Sequence, residues 1–131
     1  KFALTETTLG IPPAQIAPFV AQRIGLAKAR RIMLTAARFT GKEAFEMGLA
    51  DFIAKDASDL KNIESDIIKG VMNCAPGANA ITKEIVLETR HLERNEMIDF
   101  AAKGFAERML SDEGREGIAS FIEKRKPKWS K

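Results

Sequence analysis

Apolar residues recur along this chain mainly at spacings of three and four, so the pattern predicts a mostly helical fold with one or two short strands. Residues 2–5 read as a strand, and Gly10 to Pro13 as a turn. Ile16, Phe19, Val20 and Ile24 give a helical stripe over 14–24, ended by Gly25. A second helix over 27–37 places Ala29, Met33 and Ala36 on one face. Thr40 with Glu43 three residues on is a capping box, opening a short helix that Gly48 closes. "LADFIA" (49–54) reads as a strand or extended segment. Longer helices are predicted over 58–73 (Leu60, Ile63, Ile67, Val71), 78–90 (Ile81, Ile85) and 93–109 (Met97, Phe100, Ala101, Gly104, Phe105, Met109). Ser111 and Asp112 begin a last helix with Ile118, Phe121 and Ile122 on its apolar face. Two isolated strands cannot satisfy their own edges. They are therefore expected to join a sheet that these residues do not contain.

Composition narrows the class only slightly. At 131 residues, 45% hydrophobic and 30% charged, the chain has the length and make-up of about one ordinary globular domain. No segment approaches the roughly 18 apolar residues of a membrane span, and no signal-peptide pattern opens the chain. The single Cys74 has no disulfide partner, which points to a reducing compartment, with cytoplasm the expectation. The net charge of +3 is a tail property: "KRKPKWSK" carries Lys124, Arg125, Lys126, Lys128 and Lys131, and the residues before it hold 16 basic against 18 acidic groups. With no basic stripe elsewhere, nucleic acid is not an expected partner, and neither is a membrane. "KFALTE" begins without an initiator Met and reads like an interior strand cut off from what precedes it.

Candidate chemistry is sparse. His91, the one histidine, has no second ligand at metal-binding spacing and reads as a solvent-facing helix residue, so no metal is expected. Cys74, before a Pro-Gly turn, reads as a small half-buried residue. No glycine-rich phosphate loop and no paired nucleophile and base are present. Glu6 remains, the lone acid in "FALTETTLGIPPAQIAPFV". It is either an ordinary acid of an edge strand or turn, or a working one. Flanked by Leu4, Leu9 and Ile11, its charged form would be disfavoured by desolvation, which suits a group that gives or takes a proton near neutral pH.

"FALTETTLGIPP" resembles the stretch F-x-x-P-E-x-x-x-G-x-x-P of the enoyl-CoA hydratase/isomerase (crotonase) superfamily. "RIGLAKARRIMLTAARFTGKEAFEMGLADFIA" is similar to that family's segment ending in a helix–Gly-Leu-Val–strand unit. "SDEGREGIASFIEKRKPKW" (111–129) resembles its C-terminal signature of Ser/Thr-Asp-x-x-Glu-Gly-x-x-Ala-Phe-x-Glu-Lys-Arg. The resemblance implies an α/β crotonase (ClpP/crotonase-like spiral) fold, of which this chain matches the C-terminal half. Residues 1–56 would be the C-terminal part of the core with the catalytic-acid turn, and 57–131 a helical oligomerisation region. The N-terminal half of the same fold would then be a partner, supplying the oxyanion-hole amides and a second acid.

The resemblance implies a function as well. The reaction is hydration of the α,β double bond of an enoyl-CoA thioester, with Glu6 as the catalytic acid and coenzyme A only as part of the substrate, no separate cofactor being needed. Phe105 and Lys124 match the family's aromatic and lysine that touch the CoA adenine and phosphate, often from a neighbouring subunit, and the cluster of Lys124, Arg125, Lys126 and Lys128 would suit those phosphates or, equally, solvent. The usual glycine-rich turn after the acid is replaced by "PPAQIAPFV", one residue shorter, with Ala14 where a glycine is expected. That turn, Pro13 and Ala14, resembles the branch acting on glutaconyl-type thioesters, 3-methylglutaconyl-CoA or isohexenylglutaconyl-CoA. Homotrimers or hexamers are implied, and the fragment alone is expected to be inactive. An enoyl-CoA isomerase with Glu6 as single base fits the same scaffold, and a non-catalytic helical oligomerisation fragment is the third reading.

Overall fold

Pro18 decides where the first helix begins. Lacking an N–H and clashing with the preceding turn, it fits only the first turn of a helix. Accordingly α1 runs Ala17–Ile24 and residues 14–16 form a turn, later than the apolar spacing predicts. Val20 and Ile24 are buried, whereas Ile16 and Phe19 of the same predicted stripe are 42% and 68% exposed. The computed structural model describes residues 1–130.

Among these residues, seven helices and two very short strands run in the order β1 (Phe2–Ala3), α1, α2 (Leu26–Leu34), β2 (Arg38–Phe39), α3 (Gly41–Met47), α4 (Ala57–Met72), α5 (Pro76–Glu88), α6 (Arg94–Met109) and α7 (Asp112–Ile122). The chain divides inside α4 into two units, the first Lys1–Ile63 and the second from Glu64 onward.

In the first unit, α1 packs on α2, and Val20, Ile24, Ala29, Ile32, Met33, Phe39, Ala44 and Met47 form the buried core. Helix α2 stops at Leu34, three residues short of the predicted end. The Ala36 N–H reaches the Met33 carbonyl and the Ala37 N–H the Ile32 carbonyl at 3.0 Å, the paired bonds of a Schellman turn. Ala36 itself sits at φ 48°, in the left-handed region. After this reversal Arg38 and Phe39 run antiparallel to β1, with Phe2 opposite Phe39 and Ala3 opposite Arg38. The expectation that the opening strand has no partner within the chain is thus corrected: it has one, two rungs long, with the Phe2 and Phe39 rings stacked 5.6 Å apart. The capping box of α3 forms as the sequence suggests. Thr40 Oγ1 accepts the Glu43 N–H, and Glu43 Oε2 accepts the Thr40 N–H at 2.7 Å, holding the Glu43 carboxyl below its ordinary range. Gly48 ends the helix at φ 82°. Residues 49–54 form no ladder, because the Leu49 and Ala50 amides already bond to the Ala44 carbonyl and Phe52 and Ile53 lie exposed.

In the second unit, α5 packs on α6 and α6 on α7. Gly104 is buried at the first contact; a Cβ there would lie 2.8 Å from Ile81 Cγ1. At the corner between α6 and α7, Ser111 Oγ accepts the Gly114 N–H at 3.1 Å and donates to the Arg108 carbonyl at 2.7 Å. Helix α5 starts earlier than predicted, with Pro76 in its first turn, and its cap comes from 36 residues away: both Glu113 carboxylate oxygens accept the Gly77 N–H, at 2.9 and 3.1 Å. Helix α4 contains no buried residue, and its predicted face keeps Leu60, Ile67 and Val71 at 59%, 44% and 56% exposure. Phe121 and Ile122 of α7 are more open still. Cys74, expected half-buried, is exposed at the end of α4, its thiol directed at the Gly70 carbonyl. His91 is exposed in the turn after α5. Among the described residues no helix is long and apolar enough to cross a membrane, and no group of three or more His, Cys, Asp or Glu could hold a metal ion.

Candidate active site

Glu6 opens a single 3₁₀ turn, Glu6–Leu9, directly after β1. Four features fix that turn. Thr8 N–H bonds to the Thr5 carbonyl at 2.9 Å, and the Thr7 hydroxyl donates to the Met33 carbonyl of α2 at 2.9 Å. Gly10, at φ 76°, takes the left-handed conformation that closes the turn, its N–H pointing to the Glu6 and Thr7 carbonyls. Pro13 is buried beyond it. The backbone that carries Glu6 is thus anchored to the unit's core through α2.

The side chain is not. Its carboxyl takes part in no hydrogen bond among the described residues, and Oε2 is closed off from solvent without a partner. This is unusual, since buried polar atoms are nearly always paired and an unpaired one costs about 1–3 kcal/mol. The other acids at structural positions, Glu43, Glu96, Glu113 and Glu116, all accept backbone or side-chain hydrogen bonds. Glu6 lines a cleft of about 310 Å³ together with Pro12, Pro13, Ala14, Gln15 and Ile16. Apart from Glu6 itself and Gln15, the side chains that line it are apolar. The apolar cover expected from Leu9 and Ile11 does not form, because the turn directs them outward and they are 74% and 55% exposed; Leu4 alone packs toward the core.

Glu6, Pro13 and Ala14 therefore meet in one cleft of the first unit. Phe105 lies in the second unit and is 67% exposed; it lines a groove of about 290 Å³ with Ile81, Ile85 and Met109 between α5 and α6. Lys124 follows α7 and is not part of that groove. The chain reverses there: the Lys124 N–H meets the Phe121 carbonyl at 3.3 Å and the Arg125 N–H the Ser120 carbonyl at 3.0 Å. Lys124 occupies the left-handed position of this Schellman turn, φ 54°, where glycine is the usual residue. Its ammonium makes no ion pair or hydrogen bond among the described residues.

Arg125, the next cation of the tail, is placed differently from Lys124. Arg125 is committed to carboxylates, donating to Glu116 at 2.6 and 3.1 Å and to Glu123 at 2.5 Å. Hydrogen bonding by Arg125, and secondarily by the Lys128 N–H, holds the Glu116 carboxyl down at about 2. Lys131 lies outside the described residues. Sequence reasoning also passed over Thr7 and Glu116. A threonine directly after the acid and a glutamate nine residues before an arginine are the only traces they leave.

The family model for enoyl-CoA hydratase/isomerase matches residues 1–131. The chain belongs to that family. A peroxisomal Δ(3,5)-Δ(2,4)-dienoyl-CoA isomerase of Arabidopsis thaliana is 32% identical over 82% of this chain and 39% of its own length. A probable enoyl-CoA hydratase of Bacillus subtilis is 29% identical over 98% of this chain and 50% of its own. Among solved structures, Pseudomonas aeruginosa AtuE superposes with a TM-score of 0.96 at 48% identity, over 99% of this chain and 50% of that one. The chain thus has the crotonase fold and spans about half the length of the relatives it matches.

Proposed function

We propose that this chain is the acid-bearing half of an enoyl-CoA hydratase, with a branched glutaconyl-CoA such as isohexenylglutaconyl-CoA or 3-methylglutaconyl-CoA as substrate. The observation that carries the reading is Glu6: a carboxyl on a pinned turn, without a hydrogen-bond partner among the described residues, lining a cleft with Pro12, Pro13 and Ala14. In the reaction, water's oxygen bonds to the β-carbon and a proton goes to the α-carbon, so the double bond becomes a single bond and one hydroxyl is gained. Glu6 exchanges a proton with the attacking water or with the α-carbon. Negative charge developing on the thioester oxygen is met by two backbone amides in the N-terminal half, and preorganised donors at such a position are worth about 10²–10³ in rate. Phe105 and Lys124 receive the CoA adenine and phosphate. The turn of Pro13 and Ala14, with alanine where a glycine is expected, shapes the acyl side of the cleft. The exposed faces of α4, α6 and α7 fit a trimer or hexamer.

Isomerisation on the same scaffold is the second reading, favoured by the dienoyl-CoA isomerase among the relatives. The two separate in H₂¹⁸O. A hydratase puts one ¹⁸O into the hydroxyacyl product; a double-bond shift with no ¹⁸O in the thioester product would establish the isomerase.

A further inference from the structure

The tail after α7 is built as a strap. Residues 124–130 fold back, and three separate contacts hold them. The Trp129 indole N–H donates to the Asn73 carbonyl at 3.3 Å, and the Ser130 hydroxyl to Asn73 Oδ1 at 2.8 Å. The same ring lies over Gly117, where a Cβ would come within 3.3 Å of it. The third contact is the densest. Glu116, its side chain only 13% exposed, accepts two bonds from the Arg125 guanidinium and one from the Lys128 N–H at 3.0 Å. Arg125 Nε reaches in addition to Glu123.

Lys124 sits in the middle of this arrangement. The residue before it, Glu123, and the residue after it, Arg125, are joined through the guanidinium, and Arg125 is tied by both backbone and side chain. A non-glycine residue in the left-handed region persists only where its surroundings over-determine it. Here Glu116 supplies much of that determination, through Arg125. The fork of the guanidinium against a carboxylate has a fixed bidentate geometry, so it orients as well as attracts.

We infer that Glu116 is a positioning residue for the CoA contact: by clamping Arg125 and the Lys128 amide it holds the strap on α7 and keeps Lys124 presented to the phosphate. The inference rests on the proposed role of Lys124. It also divides the basic tail into a clamped cation, Arg125, and a presented one, Lys124.

The test uses the active hydratase with two substrates, the enoyl-CoA and the matching enoyl-pantetheine, which lacks the adenine nucleotide. Glu116→Gln keeps the side chain's shape and removes its charge. Arg125→Gln is a second variant, in case the first folds poorly. Strap docking is read by limited trypsinolysis: faster cleavage after Lys124 in either variant, and after Arg125 where it remains, marks release. The expected result is faster cleavage, KM for the CoA ester raised about two- to five-fold with kcat unchanged, and no change for the pantetheine ester. Cleavage at the wild-type rate in both variants would overturn the clamp. Released straps with an unchanged KM would overturn the positioning role. Lys124→Ala separates the two levels: if it raises the CoA KM while the clamp variants do not, only this inference fails. If it leaves the CoA KM unchanged, the CoA role of Lys124 and this inference fail together.

Discussion

Lys124→Gly separates what the residue costs the fold from what it gives the substrate. A side chain in the left-handed region costs about 1–2 kcal/mol relative to glycine. Glycine in turn adds about 0.4–1 kcal/mol of conformational freedom to the unfolded chain. With Lys124 at φ 54° and its ammonium unpaired among the described residues, no other loss seen there opposes the change, and the net gain is about 0.5–1 kcal/mol. Lys124→Ala keeps the Cβ and gains nothing of this kind. Urea unfolding followed by circular dichroism reads the difference. At a slope of about 2 kcal/mol/M the midpoint should rise by about 0.25–0.5 M for the glycine variant, with the slope unchanged. Both variants should raise KM for the CoA ester by the same few-fold factor, since both lack the ammonium. Ala36→Gly, the other left-handed non-glycine position at φ 48°, should match the stability gain and leave KM alone. A glycine variant no more stable than the alanine one would refute the strain at Lys124.

Three further outcomes rest on the geometry. Gly114→Ala would set a Cβ 2.1 Å from the Arg108 carbonyl oxygen, backbone that cannot swing aside, and should cost at least the roughly 1–3 kcal/mol usual for overpacking; calorimetry checks this. Gly104→Ala, whose Cβ meets the Ile81 side chain at 2.8 Å, should cost less, because a side chain can turn away. The Glu116 carboxyl, held at about 2 in the folded chain against an ordinary 4.5, contributes its full stabilisation above pH 4.5. That contribution falls as pH drops through about 2. The strap's trypsin sites are out of reach at such pH, so pepsin cleavage at the exposed Phe121 should accelerate over this window, and Glu116→Gln should flatten the dependence.

Local signals carried most of the helices. The capping box at Thr40 and Glu43, the stop at Gly48 and the N-cap at Ser111 are satisfied within a few residues, so their spacing alone reports them. What the sequence concealed depends on distant partners. The end of α2 carries alanine where a glycine would have marked the reversal, so both the early stop and β2 were hidden. The cap of α5 comes from Glu113, and the tail's fate depends on Glu116 and Asn73; none of these has a local pattern. For the site, the sequence picked out Glu6 with its turn, and the structure places Glu6, Pro13 and Ala14 in one cleft. The apolar wall expected from Leu9 and Ile11 failed because the 3₁₀ turn after the acid directs both outward.

The measurement closest to the central claim is the steady-state rate of Glu6→Gln in the active protein. Glutamine is nearly isosteric and the Glu6 carboxyl makes no hydrogen bond among the described residues that the change could break, so folding, followed by circular dichroism, should be untouched. The proton transfer is lost, and hydration of the enoyl-CoA should slow by about 10²–10⁴-fold with KM nearly constant. A correctly folded Glu6→Gln enzyme that hydrates at close to the wild-type rate would contradict the assignment of Glu6 as the catalytic acid.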